Sequence, residues 1–486
     1  MGILLANARL VGRPEQRVDL RIDDGRIVAL GPDVVGESGD ERVDAGGRAV
    51  MGGLRDAHTH FTHWALSRRE LDLSRTRSAG DAADLVVAAV NDPHSTSRRA
   101  GVITGGGFED GFWPDQPHKD VLDRAAPGVP VVLHSHDMHT AWMSSAALAL
   151  VGLPEHETGL LPEDVAWRAI DRLPQPSEAE QDAAVREAVR HAASLGVTEI
   201  VDYEFSRAYP TWARRAAEWD EAVGLRVWAS VRMEDLDEAL ERGWRTGTGN
   251  GLVRVGSLKL FVDGALGSRT ALCDHDYPDR PGYRGIQITP PDRLHDLIGR
   301  AHAGGLRASV HAIGDAANRI ALDAFERVGC GGRIEHAQMV DDADLPRFAA
   351  LGVEASVQPV HAPSDRDLAD QHWSGQDGTP FPYRSLLDAG TRMVFGSDAP
   401  VEPLQPWQAI GAAVTRTDDE RPPWMPEERL PLDIALGASS ARRVAVGEPA
   451  DLAVLDADPT TVPEQDLATM TVWATMVDGR WTHRGG

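Results

Sequence analysis

A chain of 486 residues is long enough to bury the core of one large domain and a smaller one. Its formal net charge of −26 repels phosphate backbones and anionic lipid surfaces, which excludes nucleic acid and membrane as partners. Two cysteines, Cys273 and Cys330, are too few for a disulfide framework and neither sits in a thiolate-metal spacing, and no segment has the length and apolarity of a membrane span, so a cytoplasmic protein is expected.

The first fifty residues read as short strands broken by turns: "ILLANARLV", "RVDLRIDDGRIVALG", "RVDAGGRAVMGG". Gly25, after Asp23 and Asp24, marks a hairpin turn. The pattern returns at the far end as "ADLAVLDADP" and "TVWATMVDGRW", with Asp478-Gly479 as a second turn. Neither end has enough strands for a core, so residues 1–50 and 431–486 are expected to combine into one small β domain, a β-sandwich.

Between them, strands and helices alternate. A first strand ends at "DAHTH" (56–60). Apolar runs follow at 197–203, 225–231, 255–263, 306–312, 332–338, 353–360 and 392–398. Leu294, Leu297, Ile298 and Ala301 recur at helical spacing, as do Ala321, Ala324, Phe325 and Val328. Eight strands alternating with helices predict an α/β protein with a (β/α)8 TIM-type barrel over residues 51–430, although an open doubly wound sheet satisfies the same pattern. The stretch from about 93 to 195 is too long for one crossover and is expected to be an insertion over the barrel mouth.

Several strand ends carry residues that bind metals. His58 and His60 stand two apart on a strand end, so both imidazoles leave the same face. His311 follows "LRASV", His336 follows "GRIE" and Asp398 follows "RMVFGS". In a barrel these carboxyl ends converge on one rim, where loops build the active site. Taken singly, each also fits a hydrogen-bonded core histidine or a helix cap.

Lysine is rare: only Lys119 and Lys259 occur, against 47 arginines. Lys259 lies inside the apolar run "GSLKLFVD". Its deprotonated amine can add carbon dioxide to form a carbamate that bridges two cations, which a guanidinium cannot do. The competing reading pairs Lys259 with Asp263 or Glu335 inside the barrel. Lys119, in the polar stretch "DQPHKD", reads as a surface cation.

Together with "DAHTH", the segments "LKLFVDGALGSRTA", "HAIGDAANR", "RIEHAQ", "SVQPVHAPSD", "FGSDAPVE" and "ADLAVLDADP" resemble amidohydrolase family 3 of the amidohydrolase superfamily, the group that includes N-substituted formamide deformylases. The resemblance spans nearly the whole chain and implies a hydrolase dependent on one or two divalent ions, usually zinc. It implies that His58, His60 and Asp398 hold the first ion, His311 and His336 the second, and carbamylated Lys259 bridges them. The chain departs from the family pattern at Met51 and Arg55 before the first histidines, and at Ser144, where relatives carry asparagine.

A bound divalent ion lowers the pKa of water towards neutrality and polarises a carbonyl. The expected reaction is therefore hydrolysis of a C–N bond in an amide, N-formyl or cyclic amide compound, with Asp398 as base and then acid. His139, Trp142, Arg269, Gln358 and His361 are candidate substrate contacts, each with a structural alternative: Trp142 equally fits packing within the insertion, and Arg269 suits a carboxylate or else pairs with Asp274 or Asp276. Ester hydrolysis, decarboxylation, isomerisation and a non-catalytic ligand-binding role remain alternatives on the same scaffold. The partner expected is a small molecule, and the sequence leaves homo-oligomerisation open.

Overall fold

The computed structural model describes residues 2–485 except 93–94, 109, 111–112, 136–139, 171, 205 and 220–223, and omits the side chains of 163, 164 and 167. Two compact units are present, one of residues 1–61 with 189–486 and one of residues 62–188.

In the first unit, both chain ends contribute strands to one eight-stranded sheet. Strand Leu452–Leu455 is the join, pairing antiparallel with Ala49–Gly52 on one side and Val472–Val477 on the other. A single apolar cluster draws Leu5, Val18, Leu20 and Ile22 from the start of the chain and Leu452, Val454 and Met476 from the end. Both expected turns form two-residue hairpin loops. Asp24 and Gly25 have φ of 46° and 73°, and Asp478 and Gly479 have 52° and 73°, the positive values that let a tight loop follow the strand twist. The two turns meet: a Cβ on Gly479 would lie 2.9 Å from the Gly25 Cα.

Eight parallel strands form the barrel. They are β1 (Leu54–Thr59), β2 (Val197–Asp202), β3 (Arg226–Arg232), β4 (Val253–Phe261), β5 (Ala308–Ala312), β6 (Gly332–His336), β7 (Val353–Val357) and β8 (Met393–Phe395). Each pairs in parallel with the next in this order, and a parallel bridge from Thr59 to Ala399 joins the first to the segment after the last. The apolar runs become strands because both faces are covered, as in a parallel sheet. All five residues of β7 are buried, as are all six of β2. Helices α1 (Pro291–Ala303) and α2 (Asp315–Val328) bury Leu294, Leu297, Ile298 and Ala301, and Ala321, Ala324 and Phe325. Gly329, at φ 73°, ends α2 in a left-handed cap.

The second unit separates β1 from β2 in sequence and carries its own six-stranded sheet. It begins at Thr62, earlier than the insertion boundary near 93, because Leu71–Asp72 pairs with Gly105 and Gly106 of the strand Val102–Phe108. No helix among the described residues is long and apolar enough to cross a membrane.

Gly479→Ala forces a side chain into a positive-φ position and against the neighbouring turn. We expect a loss of about 1–3 kcal/mol in urea unfolding; an unchanged midpoint would show that the two turns do not constrain each other.

Candidate active site

The carboxyl ends of β1, β4, β5, β6 and β8 bring six side chains together. His58 Nε2 lies 3.3 Å from Lys259 Nζ and 3.3 Å from Asp398 Oδ1. His60 Nε2 is also 3.3 Å from Asp398 Oδ1. The His336 ring is centred 4.9 Å from that of His58 and 4.5 Å from that of His311. Ligand atoms of His58, His336 and Asp398 all fall within 4.8 Å of one another, a spacing that one cation can span. His336 and Asp398 have φ of 78° and 60°, conformations that cost L-residues free energy and cluster at functional sites.

The surroundings fix which histidine nitrogens carry protons. His58 Nδ1 is 2.8 Å from Glu335 Oε2, and Tyr203 Oη is 2.6 Å from Glu335 Oε1. Burial alone would raise the Glu335 carboxyl, but His58, Lys259 and Arg333 bring it down to about 2. Facing an ionised carboxylate, His58 Nδ1 donates, and its Nε2 lone pair points at Lys259 and Asp398. His311 Nε2 is 3.0 Å from the Gly264 carbonyl, which can only accept, so its Nδ1 carries the lone pair. His336 Nδ1 is buried with no hydrogen-bond partner among the described residues. A carboxylate behind His58 and a carbonyl behind His311 are the kind of partner that orients metal-binding histidines. The donor set therefore fits divalent ions.

Burial and the nearby lysine hold His58 at about 4 and His311 at about 3, so both are neutral at pH 7. Burial lowers Lys259 to about 8, against the opposing pull of Glu335 and Asp398. Burial would raise Asp398, but the histidines around it keep it well below the ordinary carboxylate value.

The competing partners of Lys259 are engaged elsewhere. The Asp263 carboxylate accepts from the backbone N–H groups of Leu272, Ile313 and Gly314. The two Glu335 oxygens are taken by His58 and Tyr203. Lys259 Nζ instead sits 4.2 Å from the centre of the Tyr203 ring.

Among the candidate substrate contacts, His361 stacks on His336 with ring centres 6.3 Å apart, and its Nε2 is buried without a partner among the described residues. Gln358 is buried with its Oε1 likewise unsatisfied. Arg269 pairs with Asp279 at 2.6 Å, not with Asp274 or Asp276, which pair with Arg319 and Arg284. Trp142 is fully buried in the second unit, edge-on to Phe108 and Trp113, a packing position within that unit. His139 lies outside the described residues. Ser144 caps the helix Ser145–Leu150 and accepts from Val131 N, which accounts for the hydroxyl there.

Glu335, Tyr203 and Asp56 complete the site and were not singled out as site residues from sequence. Asp56 Oδ1 accepts from the backbone N–H of both His58 and Ser397, tying the ends of β1 and β8. A lone acid inside the apolar strand "GRIEH" is the one signal that could have flagged Glu335. Gly396 is required where the backbones approach, since a Cβ there would lie 2.5 Å from His58 N.

A parallel barrel with histidines, a lysine and an aspartate on one rim defines a metal-dependent hydrolase type of site. The amidohydrolase family profile matches residues 41–483, and the chain belongs to that family. It is 27% identical to the putative amidohydrolase YtcJ of Bacillus subtilis (strain 168), over 94% of each chain. It is also 27% identical to the N-substituted formamide deformylase of Arthrobacter pascens, over 98% of this chain and 97% of the relative. An uncharacterized metal-dependent hydrolase from Pyrococcus horikoshii OT3 superposes with a TM-score of 0.81 at 25% identity, covering 96% of this chain and 99% of that one.

On the far side of Glu335, the Arg333 guanidinium pairs with Glu354 at 2.5 Å. Burial would raise Glu354, but Arg333 and Arg392 hold it below its ordinary 4.5. A depressed carboxyl stabilises the fold above the unfolded value, and this contribution is lost as pH falls through the folded value. Glu354→Gln is expected to cost about 3–5 kcal/mol at pH 7 because Arg333 loses its partner. The gap from wild type in urea unfolding should narrow below pH 4.5; a gap constant from pH 7 to pH 3 would count against the pairing.

Proposed function

We propose that this protein hydrolyses a C–N bond in an amide, N-formyl or cyclic amide compound, at a site where the six rim side chains hold one or two divalent ions, zinc by donor type. The observation that carries the reading is the orientation of the lone pairs beside an ionised Asp398: His311 Nδ1 lies opposite the nitrogen held by Gly264, His336 Nδ1 has no partner among the described residues, and His58 Nε2 faces the Lys259 amine at 3.3 Å, a donor that loses its proton on carbamylation. Neutral imidazole and carboxylate are the forms that bind zinc-like ions. In this reading His58, His60 and Asp398 hold one ion and His311 and His336 the other. Lys259 would add an anionic ligand to this set, its amine taking up carbon dioxide and releasing a proton to become a carbamate. The ions supply an activated water and polarise the substrate carbonyl.

Asp398 takes the proton from the attacking water and delivers it to the leaving nitrogen, so the same carboxylate serves as base and then acid. Its place 3.3 Å from His58 and His60 Nε2 keeps it ionised and aimed at the shared space. His361, stacked on His336, and Gln358 each offer an unsatisfied polar atom and are assigned to substrate binding. Glu335 is a positioning residue: it fixes the His58 ring through Nδ1.

A screen of N-formyl and N-acyl amines for released amine tests the activity. Asp398→Asn is expected to lower kcat by about 10²–10⁴-fold; near-normal kcat would remove Asp398 from the chemistry. Glu335→Gln should weaken metal binding by about 10–100-fold, read by elemental analysis across a chelator series. For Lys259, protein equilibrated with ¹³C-bicarbonate should show one carbamate resonance that is missing from Lys259→Arg. Its absence from the metal-loaded wild type would rule out the bridge.

A further inference from the structure

A second group of metal-binding side chains lies apart from the six. Cys273 and His275, in the loop between β4 and α1, and Asp315, the first residue of α2, place a sulfur, a nitrogen and an oxygen within 4.8 Å of one another. Cys273 and Asp315 are buried. His275 Nε2 is sealed from solvent with no hydrogen-bond partner among the described residues, and leaving such an atom unsatisfied costs about 1–3 kcal/mol. Asp315 spends Oδ1 on the Asp274 backbone N–H. The Cys273 thiol makes a long hydrogen bond of 3.7 Å to Ala271 O, and the Trp373 and Tyr277 side chains also interact with its sulfur. Three donors of three kinds thus converge, one of them an imidazole nitrogen that nothing in the described protein satisfies.

We infer that Cys273, His275 and Asp315 form a second metal site, separate from the catalytic rim, which takes a zinc-class divalent cation with water completing a four-coordinate shell. Thiolate with imidazole and one carboxylate selects borderline-soft ions over magnesium or calcium, which require oxygen donors throughout. Asp263 stands between the two sites, its carboxylate on the Leu272, Ile313 and Gly314 N–H groups and 3.6 Å from His311 Nε2. No ligand is shared. The bound ion would clip the loop following the Lys259 strand to the start of α2, fixing the segment that carries Arg269. Burial, reinforced by Asp315, raises the thiol to about 12, so ion binding must expel its proton to solvent, and affinity should rise with pH.

The six catalytic ligands contain no sulfur, so the two sites are spectroscopically distinct. Chelator-stripped protein in thiol-free buffer, given a few equivalents of Co²⁺, should develop a thiolate-to-cobalt charge-transfer band in the near ultraviolet. Cys330→Ser should keep the band. Cys273→Ser should lose it and retain one ion fewer per chain than wild type. His275→Ala, a change in a loop residue that is only partly buried, should raise the Co²⁺ concentration for half-development at least tenfold, which keeps the test open if the cysteine variant fails to fold. No band in the wild type, a band that survives Cys273→Ser, or an unchanged titration of His275→Ala would each overturn the site. Because turnover is not read, the outcome is independent of whether the rim hydrolyses amides.

Discussion

The joint between the first and last barrel strands is the constraint on which the site depends. Asp398 N donates to His58 O at 2.8 Å and His60 N donates to Ala399 O at 2.8 Å. Asp56 grips both strands from within, its Oδ1 on His58 N and Ser397 N. The bonds between the two strands connect residues some 340 positions apart in sequence, and they do two things at once: they draw the ends of the sheet together into a nearly closed barrel, and they set the HxH pair against the aspartate. No room exists for slack here, as the absent Cβ of Gly396 shows. A barrel strand shifted by one residue would turn His58 away from the interior.

Electrostatics impose the second constraint. Ions buried at low dielectric must be balanced locally, and the barrel interior does this in layers. Arg333 and Glu354 pair on one side of Glu335. Glu335 then faces His58 and feels Lys259, and Lys259 in turn feels Asp398. Ser257, Ser309 and Tyr203 continue this order through hydroxyl contacts of 2.7 Å and 2.9 Å, and Tyr203 Oη ends the chain on Glu335 at 2.6 Å. His58, His311 and His336 stay neutral within this lattice of charges because burial lowers all three.

The barrel was legible because a buried parallel strand is a continuous apolar run, and chemistry-bearing residues at the ends of such runs stand out. All eight runs became strands, and five of them deliver the six rim residues. What could not be read is whatever depends on a partner far away in sequence. Glu335 was noted only as a possible lysine partner, whereas its oxygens belong to His58 and Tyr203, 277 and 132 residues distant. Arg269 was offered the nearest acids in its loop, but a positive φ of 59° turns the chain and Asp279 takes the guanidinium. Trp142 looked available for a ligand since sequence does not reveal which face of "TAWM" turns inward; Phe108 and Trp113 enclose it. Sequence spacing places neither cysteine in a thiolate-metal pattern, because Asp315, the third member of the Cys273 and His275 cluster, comes from another element.

The distribution of cations reflects the same physics. A guanidinium keeps its charge at any accessible pH and offers a rigid fork, so it suits positions where a permanent charge meets a carboxylate, as Arg333 does with Glu354 and Arg226 does with the buried Asp451 at 2.6 Å. Lys259 has no such partner. It stands over an aromatic ring and 3.3 Å from a histidine lone pair, in surroundings that weaken its hold on a proton. A fixed positive charge at that point would oppose any cation placed among His58, His336 and Asp398. An amine can surrender its proton there, and arginine cannot. In a chain that otherwise answers its need for cations with arginine in all but one further place, this is the position where a removable charge has a physical use.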